Sequence, residues 1–246
     1  AVRVERLGVL REQRWVYLDT ETTGLAGGTG TLAFLIGAGS VEPEGFRLRQ
    51  WFMREHGEEV SALGSLAEHL ARFNTLVTYN GKSFDLPLLE TRYTLARQAT
   101  PFARLEHLDL LYGSRRLWKL RFDSCRLVEL ERQLLGHERQ GDVPGELIPQ
   151  IYFDYLRTGR TGRLEPVMQH NALDILSLAF LAAIVPPVFE DPVNCPLEHG
   201  AELAGLARWL VGQERWDEAA VLYRRAIEAR ISDELLFRSL WELGQL

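Results

Sequence analysis

Two acidic side chains follow a short apolar run near the start of the chain. The apolar run Val16-Tyr17-Leu18 is followed directly by Asp19 and, two residues later, by Glu21. The composition of this run predicts a β-strand. Because successive side chains of a strand point to opposite faces, these two carboxylates share one face and can share one ion. Clustered oxygen ligands of this kind suit Mg²⁺ or Mn²⁺. An isolated Asp-x-Glu pair is common, however, so the assignment of a metal site depends on further acids.

A third acid, Asp85, stands after the predicted strand 76–79, at the start of a predicted helix. The segment 79–85, Tyr-Asn-Gly-Lys-Ser-Phe-Asp, leads from an apolar run through a glycine turn into a helical pattern. An acid in the first turn of a helix also has a simple structural explanation, since the positive end of the helix dipole stabilises it. Asp85 is therefore a candidate ligand or a helix-terminal acid.

A histidine and a fourth acid are four residues apart in a long helical pattern. His170 and Asp174 thus lie on one face of that helix. Histidine, with an ordinary pKa of about 6.5, can accept a proton near neutral pH. Taken alone, the pair is better explained as an ordinary surface contact, so its assignment to a catalytic site depends on the other acids.

Hydrophobic periodicity places these residues in an α/β sheet that begins with an antiparallel hairpin. The predicted strands are 16–19, 31–39, 46–53, 76–79 and 107–111. The predicted helices are 60–74, 84–95, 117–135, 150–157 and 164–184. A run containing four prolines, Pro186 to Pro196, is predicted to break regular structure and to act as a linker.

The segment beyond the linker is predicted to form amphipathic helices. Its apolar spacing resembles a tetratricopeptide repeat, with small or aromatic residues at Ala207, Ala219, Tyr223 and Ala226. Residues 232–246 look like the start of another helix. Because about three stacked repeats are needed to bury such faces, we expect the chain to be part of a longer one, and the missing initial Met agrees with that. The predicted domains are residues 1–190 and 197–246.

Composition limits the class of protein. The chain has 246 residues, 46% of them hydrophobic, and a net charge of −6. It has no recognisable signal peptide or membrane span, so we expect a soluble, cytoplasmic protein without membrane contacts. The negative charge argues against a uniformly basic nucleic-acid-binding surface, but Arg115, Arg116 and Lys119 form a local basic group.

The order of these elements over Val16 to about Ile184 resembles the DEDD family of 3′–5′ exonucleases in the ribonuclease H-like superfamily. The details of 29–39 and 79–85 look most like its YprB-type branch, in which such a domain is joined to tetratricopeptide repeats. The resemblance implies a mixed sheet of five or six strands with flanking helices. It matches Asp19, Glu21, Asp85 and Asp174 to the four carboxylates of the family. It matches His170 to the general base, although three residues separate it from Asp174, as in the tyrosine-type members.

The resemblance also implies a two-metal mechanism, with two Mg²⁺ or Mn²⁺ ions per site. Asp19 would bridge both ions, Glu21 and Asp174 would complete one site, and Asp85 would act on the other through water. Asp109 is a candidate for supporting the metal cluster from an adjacent strand, with a strand-end cap or a partner for a nearby arginine as the alternative. Asn171, next to His170, is a candidate for orienting a metal ligand or has no special role. Contacts to nucleic acid are expected from six residues: Thr22, Asn80, Lys82, Arg115, Arg116 and Lys119.

The expected substrate is DNA rather than RNA, as single strands or ends to be processed in repair, and the helical segment is expected to bind a protein partner. A ribonuclease or a structure-specific endonuclease on the same fold is an alternative. A catalytically weak scaffold that binds nucleic acid or protein through its helical repeats is another.

Two nucleotide-binding motifs are considered and rejected. Gly28-Thr29-Gly30-Thr31-Leu32-Ala33 matches the dinucleotide-binding pattern, but it runs into a predicted strand and offers no helix N-terminus for a pyrophosphate. Gly81-Lys82-Ser83 matches the end of a phosphate-binding loop, but Leu76 occupies the position of the required first glycine. Nucleotide-binding enzymes are therefore disfavoured.

Overall fold

A mixed five-stranded sheet forms the centre of the first part of the protein. The computed structural model describes residues 14–24, 29–229 and 231–246. The strands are β1 (Trp15–Thr22), β2 (Ala33–Glu42), β3 (Gly45–Phe52), β4 (Thr75–Thr78) and β5 (Glu106–Asp109). Their spatial order is β3-β2-β1-β4-β5. β2 runs antiparallel to both β1 and β3, whereas β4 is parallel to β1 and β5 is parallel to β4.

The two antiparallel pairs at the start of the chain follow from local sequence. A tight turn joins β2 to β3 at the pair Glu42 and Gly45, where Gly45 has a φ of 140°, a conformation that L side chains rarely adopt. The first eight residues of β2 are buried, which explains why this strand reads as a continuous apolar run. Gly28, the first residue of the rejected dinucleotide pattern, lies outside the described residues, and Ala33 begins β2.

Helices cover both faces of the sheet. On one face, α1 (Glu59–Leu70) and α2 (Asp85–Leu95) pack Leu66 and Leu89 against Val16 and Leu18 of β1. On the other face, α5 (Ile148–Thr158) packs Tyr152 in parallel stacking on Phe34 of β2, with the ring centroids 4.0 Å apart. α6 (Leu164–Ala182) lies on β1 and β2. The result is a three-layer α/β/α arrangement.

Two compact units divide the chain. The first contains the residues up to Leu110 together with Glu131–Ala183, and the second contains Leu111–Leu130 and Ile184–Leu246. The second unit is helical, and its helices are α3 (Leu110–Trp118), α4 (Leu127–Leu130), α7 (Val185–Glu190), α8 (Gly200–Val211), α9 (Trp216–Glu228) and α10 (Asp233–Leu243).

A buried polar contact ties α3 to α8 within the second unit. The indole of Trp118 donates to Glu202 Oε1 at 2.9 Å, and Arg121 donates to the same oxygen at 2.7 Å. Glu202 is almost fully buried, so these donors replace the water that its carboxylate loses. Close packing supports the contact, because a Cβ on Gly205 would lie 2.3 Å from the carbonyl oxygen of Arg116.

One predicted strand ends too late, and one predicted helix was wrong. The segment 107–111 is not all strand, because α3 begins at Leu110, and the predicted helix 117–135 is broken into α4 and a π-helix, Glu131–Leu135, after α3 ends at Trp118. Buried side chains at 110, 111, 114, 117 and 118 have the spacing of one helical face, which the short apolar run concealed.

Prolines do not prevent a helix after α6, contrary to the prediction. Pro186 and Pro187 occupy the first turn of α7. The amides at the start of a helix have no intrahelical acceptor, so proline costs no hydrogen bond there, and its fixed φ suits the helix.

The stretch Leu164–Glu190 is long and apolar enough to span a membrane by length and composition, and half of its most apolar window is buried within the structure. Most of this stretch is α6, whose Ile175, Leu178 and Ala182 are buried. Packing on the sheet is thus sufficient to explain the apolar sequence, and the absence of a membrane partner stays a prediction.

Candidate active site

The acid pair on β1 faces α6. Asn171 of α6 donates through Nδ2 to Asp19 Oδ2 at 2.8 Å. Glu21 lies two residues further along the strand and so faces the same side. Thr20, between them, faces the opposite side. The two carboxylates thus share one face of the strand, as the sequence predicted, and the structure shows that this face is directed towards α6.

Asn171 is held by a row of residues across three strands. Asp19 on β1 pairs with Gly37 on β2, and Gly37 pairs with Gln50 on β3. Gln50 donates to Asn171 Oδ1 at 2.9 Å and to the carbonyl of Met168 at 2.8 Å. Asn171 is fully buried, so its amide orientation is fixed with the NH₂ group towards Asp19. Asn171 is thus placed to hold Asp19, and its role in a metal site stays a prediction.

Asp85 reaches the cluster from the N-terminus of α2. Thr20 donates through Oγ1 to Asp85 Oδ1 at 2.6 Å, so the middle residue of the Asp-Thr-Glu sequence orients the third acid. This contact could not be predicted from the sequence, since threonine at that position has no spacing signal that links it to Asp85. Asp85 is 9% exposed.

Asp109 shapes the turn that precedes α2. Its Oδ1 accepts the backbone amide of Asn80 at 2.7 Å, and its Oδ2 accepts the amide of Lys82 at 3.0 Å. Asn80 has a φ of 66°, a conformation that asparagine tolerates better than most residues. Gly81 is also required, because a Cβ there would meet the Oγ1 of Thr78 at 2.4 Å. Asp109 therefore fixes the backbone of the turn from which α2 begins, and its support of a metal site stays a prediction.

α6 brings a histidine and the fourth acid to the pair on β1. Ligand atoms of Glu21, His170 and Asp174 lie within 4.8 Å of one another. The Nε2 atom of His170 is 3.6 Å from Asp174 Oδ2. The two carboxylates of this group are suitable ligands for a divalent cation such as Mg²⁺ or Mn²⁺, which prefers oxygen ligands, and the histidine lies beside them.

Three charged residues that the sequence did not single out complete the cluster. Asp142 Oδ1 is 2.8 Å from His170 Nδ1, and Asp142 Oδ2 accepts from Arg139 at 3.2 Å. Arg139 also forms ion pairs with Asp174 and Glu131. The side chains of Arg139 and Glu131 are only 3% and 2% exposed. No short spacing connects these residues with α6, so the sequence carried no signal for them.

Burial and mutual repulsion raise the pKa values of the pair on β1. Burial is the main cause for Asp19, whose pKa lies well above its ordinary value, and the charges of Asp174, Glu21 and Asp85 add to it, while the hydrogen bond from Asn171 opposes it. Burial also raises the pKa of Glu21 to about 9, with contributions from Asp174 and Asp85. Such values mean that ionised carboxylates need a compensating cation here.

The other two acids have partners that limit the same effect. Burial raises the pKa of Asp85 to about 6, and the hydrogen bond from Thr20 opposes the rise. Burial raises the pKa of Asp174, whereas Arg139 and His170 lower it. Arg139 thus supplies positive charge to the cluster on the side of α6.

A cavity of about 570 Å³ opens next to the acids. Its polar wall contains Asp19, Glu21 and Asp85, and Phe84 and Ile148 belong to its lining. Phe84 is 58% exposed. The acidic wall can bind a phosphate group through cations, and the apolar side chains can contact a flat ring of the same ligand.

Comparisons with known proteins agree with this geometry. The family model described as RNase_H superfamily matches residues 16–185. The chain belongs to the RNase H superfamily. Over 219 residues it is 36% identical to a Bacillus subtilis (strain 168) protein named "Uncharacterized protein YprB", with 89% of this chain and 52% of that protein covered. The chain thus spans about half the length of this curated relative.

The RNase H-like fold also resembles a solved structure of the family B DNA polymerase from the hyperthermophilic archaeon Pyrobaculum calidifontis. The TM-score is 0.50 at 14% identity, and the alignment covers 94% of this chain and 29% of the polymerase chain. At this identity the likeness concerns the fold alone. Together with the family match, it confirms the predicted RNase H-like architecture with a five-stranded mixed sheet and a helical C-terminal region.

Enzymes of the RNase H superfamily are usually nucleases that use divalent metal ions, and this chain has the fold of that superfamily. The acidic cluster offers suitable ligands. Among the residues expected to contact nucleic acid, Thr22 and Asn80 line the cavity, and Lys82 is exposed on the adjoining turn. Arg115, Arg116 and Lys119 belong to the second compact unit, where all three side chains are exposed. The roles of these residues stay predictions.

The close approach of α6 to β2 gives a first prediction. A Cβ on Gly37 would lie 2.2 Å from both Asn171 Oδ1 and Ile175 Cδ1. Gly37→Ala is expected to lower the free energy of unfolding by about 1–3 kcal/mol, since overpacked cores lose stability of that order, and to displace Asn171. Urea unfolding followed by circular dichroism measures the change. Gly162→Ala, where a Cβ meets nothing within 4 Å, is the control, and equal stabilities of the two variants would contradict the prediction.

Proposed function

We propose that the chain is a divalent-metal-dependent 3′–5′ exonuclease of the DEDD type that acts on DNA. The observation that carries the proposal is the convergence of acids from three separate elements on one place. Asp19 and Glu21 come from β1, Asp85 from α2 and Asp174 from α6, and Asp19, Glu21 and Asp85 line the cavity. Buried acids with raised pKa values are a feature of catalytic sites.

Asp19, Glu21, Asp85 and Asp174 are proposed to hold two Mg²⁺ or Mn²⁺ ions. In nucleases of this kind, such ions supply Lewis acidity that favours ionisation of the attacking water and stabilises the leaving oxygen. Asn171 keeps one oxygen of Asp19 fixed, and Thr20 does the same for Asp85. His170 is proposed to accept the proton of the attacking water through Nε2.

The cavity supports removal of a terminal nucleotide. Its volume, about 570 Å³, falls in the range of small-molecule sites, roughly 300–1,000 Å³. Phe84 belongs to its lining and is exposed, so it can stack on a base, an interaction that tolerates any base. The 3′ polarity and the preference for DNA are carried over from the resemblance to the DEDD family.

A digestion series tests the proposal. Single- and double-stranded DNA and RNA, each labelled at the 5′ end and either free or blocked at the 3′ end, are incubated with Mg²⁺, Mn²⁺ or chelator. We expect a ladder that shortens from the free 3′ end of DNA, needs a divalent ion and stops at a blocked 3′ end. Faster loss of RNA would indicate the ribonuclease alternative. Cleavage of a circular DNA, included as a further substrate without ends, would indicate the endonuclease alternative.

The scaffold alternative gives a different result in the same experiment. A protein that binds oligonucleotides by fluorescence anisotropy but releases no product with either ion would be a binding protein on a nuclease fold. The tetratricopeptide-like identity of α8 to α10, a protein partner for that segment, the predicted domain limits and a cytoplasmic location stay predictions.

A further inference from the structure

The segment 139–142, which lies outside α6, contacts both His170 and Asp174, the two side chains of α6 that lie near Glu21. Arg139 forms an ion pair with Asp174, and Asp142 contacts His170 at 2.8 Å. Arg139 and Asp142 are three residues apart and contact each other, since Arg139 Nη1 donates to Asp142 Oδ2 at 3.2 Å. His170 and Asp174 are therefore fixed relative to each other from outside the helix.

A second ion pair, with Glu131, fixes the position of Arg139. Its Nε donates to Glu131 Oε2 at 2.7 Å, and both side chains are almost completely buried. Glu131 belongs to the π-helix that precedes this segment. A guanidinium cannot give up its charge and its donors are fixed in one plane. This anchor therefore fixes which oxygen of Asp142 faces Arg139 and which faces His170.

Asp142 determines which nitrogen of His170 carries the proton when the ring is neutral. An ionised carboxylate only accepts hydrogen bonds, so the ring atom next to Asp142 Oδ1 must be an N–H donor. That atom is Nδ1. In the neutral ring the other nitrogen, Nε2, then has the free lone pair, and it lies on the side of Asp174, 3.6 Å from Oδ2.

We propose that Asp142, oriented by Arg139, is a positioning residue that holds His170 in the Nδ1–H form and so makes Nε2 the proton-accepting atom. The inference rests on the proposed function for the role of His170, but the tautomer itself can be measured without any substrate. It also bears on the tyrosine-type spacing of His170 and Asp174, in which three residues separate them. The orientation of the His170 ring depends on Asp142 as well as on the spacing along the helix.

Asp142→Asn is the informative variant because Arg139 is a donor only. The introduced amide has to present its carbonyl oxygen to Arg139, which directs its NH₂ group at His170 Nδ1. That ring atom then has to accept, and the ring proton moves to Nε2. Asp142→Ala removes the constraint without imposing the wrong tautomer. A role in packing alone would make alanine the more damaging change, whereas a role in setting the tautomer makes asparagine the more damaging one.

The tautomer is read from two-bond ¹H–¹⁵N correlation spectra of the full chain, labelled with ¹⁵N and kept in chelator at a pH where the same spectra show a neutral ring. The signals of His170 are those missing from His170→Gln. We expect a protonated Nδ1 in the wild type and a protonated Nε2 in Asp142→Asn. A protonated Nε2 in the wild type would overturn the inference, whatever the outcome of the digestion series.

Kinetics provide the second arm. We expect Asp142→Asn to lower kcat by roughly 10²–10⁴-fold, the scale of general-base catalysis, with little change in KM or in Mn²⁺ affinity measured by calorimetry. Asp142→Ala should lose less. Asp154→Asn removes an acid that pairs with an arginine three residues away, as Asp142 does, but on α5, where the Asp154 side chain is 31% exposed. This variant should leave kcat unchanged. Equal kcat for Asp142→Asn and Asp142→Ala, with an unaltered tautomer, would also reject the inference.

Discussion

Asp19→Asn is expected to lower metal-dependent cleavage by at least about a thousandfold. Losing one charged metal ligand removes several kcal/mol of transition-state stabilisation, and about 4 kcal/mol corresponds to a factor of a thousand. The carboxylate of Asp19 is the one that Asn171 holds in place, so an amide there keeps the shape and loses the charge. Single-turnover cleavage of a 5′-labelled oligonucleotide measures the effect.

The same substitution should stabilise the protein in chelator. The pKa of Asp19 is raised by burial and by three neighbouring carboxylates, so the charged form opposes folding. Removing it is expected to raise the free energy of unfolding by roughly 1–3 kcal/mol, the order of a buried charge without a sufficient partner. Glu68→Gln, the same chemical change on the exposed face of α1, is the control and should change neither quantity. An active Asp19→Asn enzyme, or one less stable in chelator, would refute the assignment.

A divalent ion should stabilise the protein increasingly as the pH rises from about 4 to about 9. The ordinary pKa of Asp and Glu is about 4, whereas burial and like charges raise the pKa of Asp85 to about 6 and that of Glu21 to about 9. The folded protein in chelator therefore holds protons that the unfolded chain has already released. The stability that these groups contribute is present below pH 4 and is lost as the pH rises through their folded values.

Bound cations reverse this loss, since they favour the ionised carboxylates. At a hundred times the dissociation constant, binding adds about 2.7 kcal/mol. For a protein of this size that corresponds to a rise in Tm of roughly 5–11 °C. Thermal unfolding with Mg²⁺, Mn²⁺ or chelator at several pH values measures it. The difference in Tm between the protein with a divalent ion and the protein in chelator should be small near pH 4 and largest near pH 9. It should be reduced in Asp19→Asn but not in Asp154→Asn. A shift independent of pH would contradict the proposed metal cluster.

The sequence by itself determined the elements that carry the candidate metal ligands. An apolar run that ends in Asp-Thr-Glu has only one regular way to place its acids, because the two-residue period of a strand puts Asp19 and Glu21 on one side. Likewise, four residues of helix place His170 and Asp174 together. These are local rules of backbone geometry, and they need no knowledge of the rest of the chain. For the same reason the strands and most helices were predicted within a few residues.

Only the tertiary structure decided how the acids are held and what surrounds them. Arg139 and Asp142 lie about thirty residues before the side chains that they contact, and Gln50 lies 121 residues from Asn171. Such pairs have no periodic signature, because their proximity results from the packing of a loop and a sheet against α6. Burial, which raises the pKa of Asp19 and Glu21, is also a property of the whole fold. The sequence thus indicates which acidic side chains are candidate metal ligands, and the three-dimensional packing determines their charge and orientation.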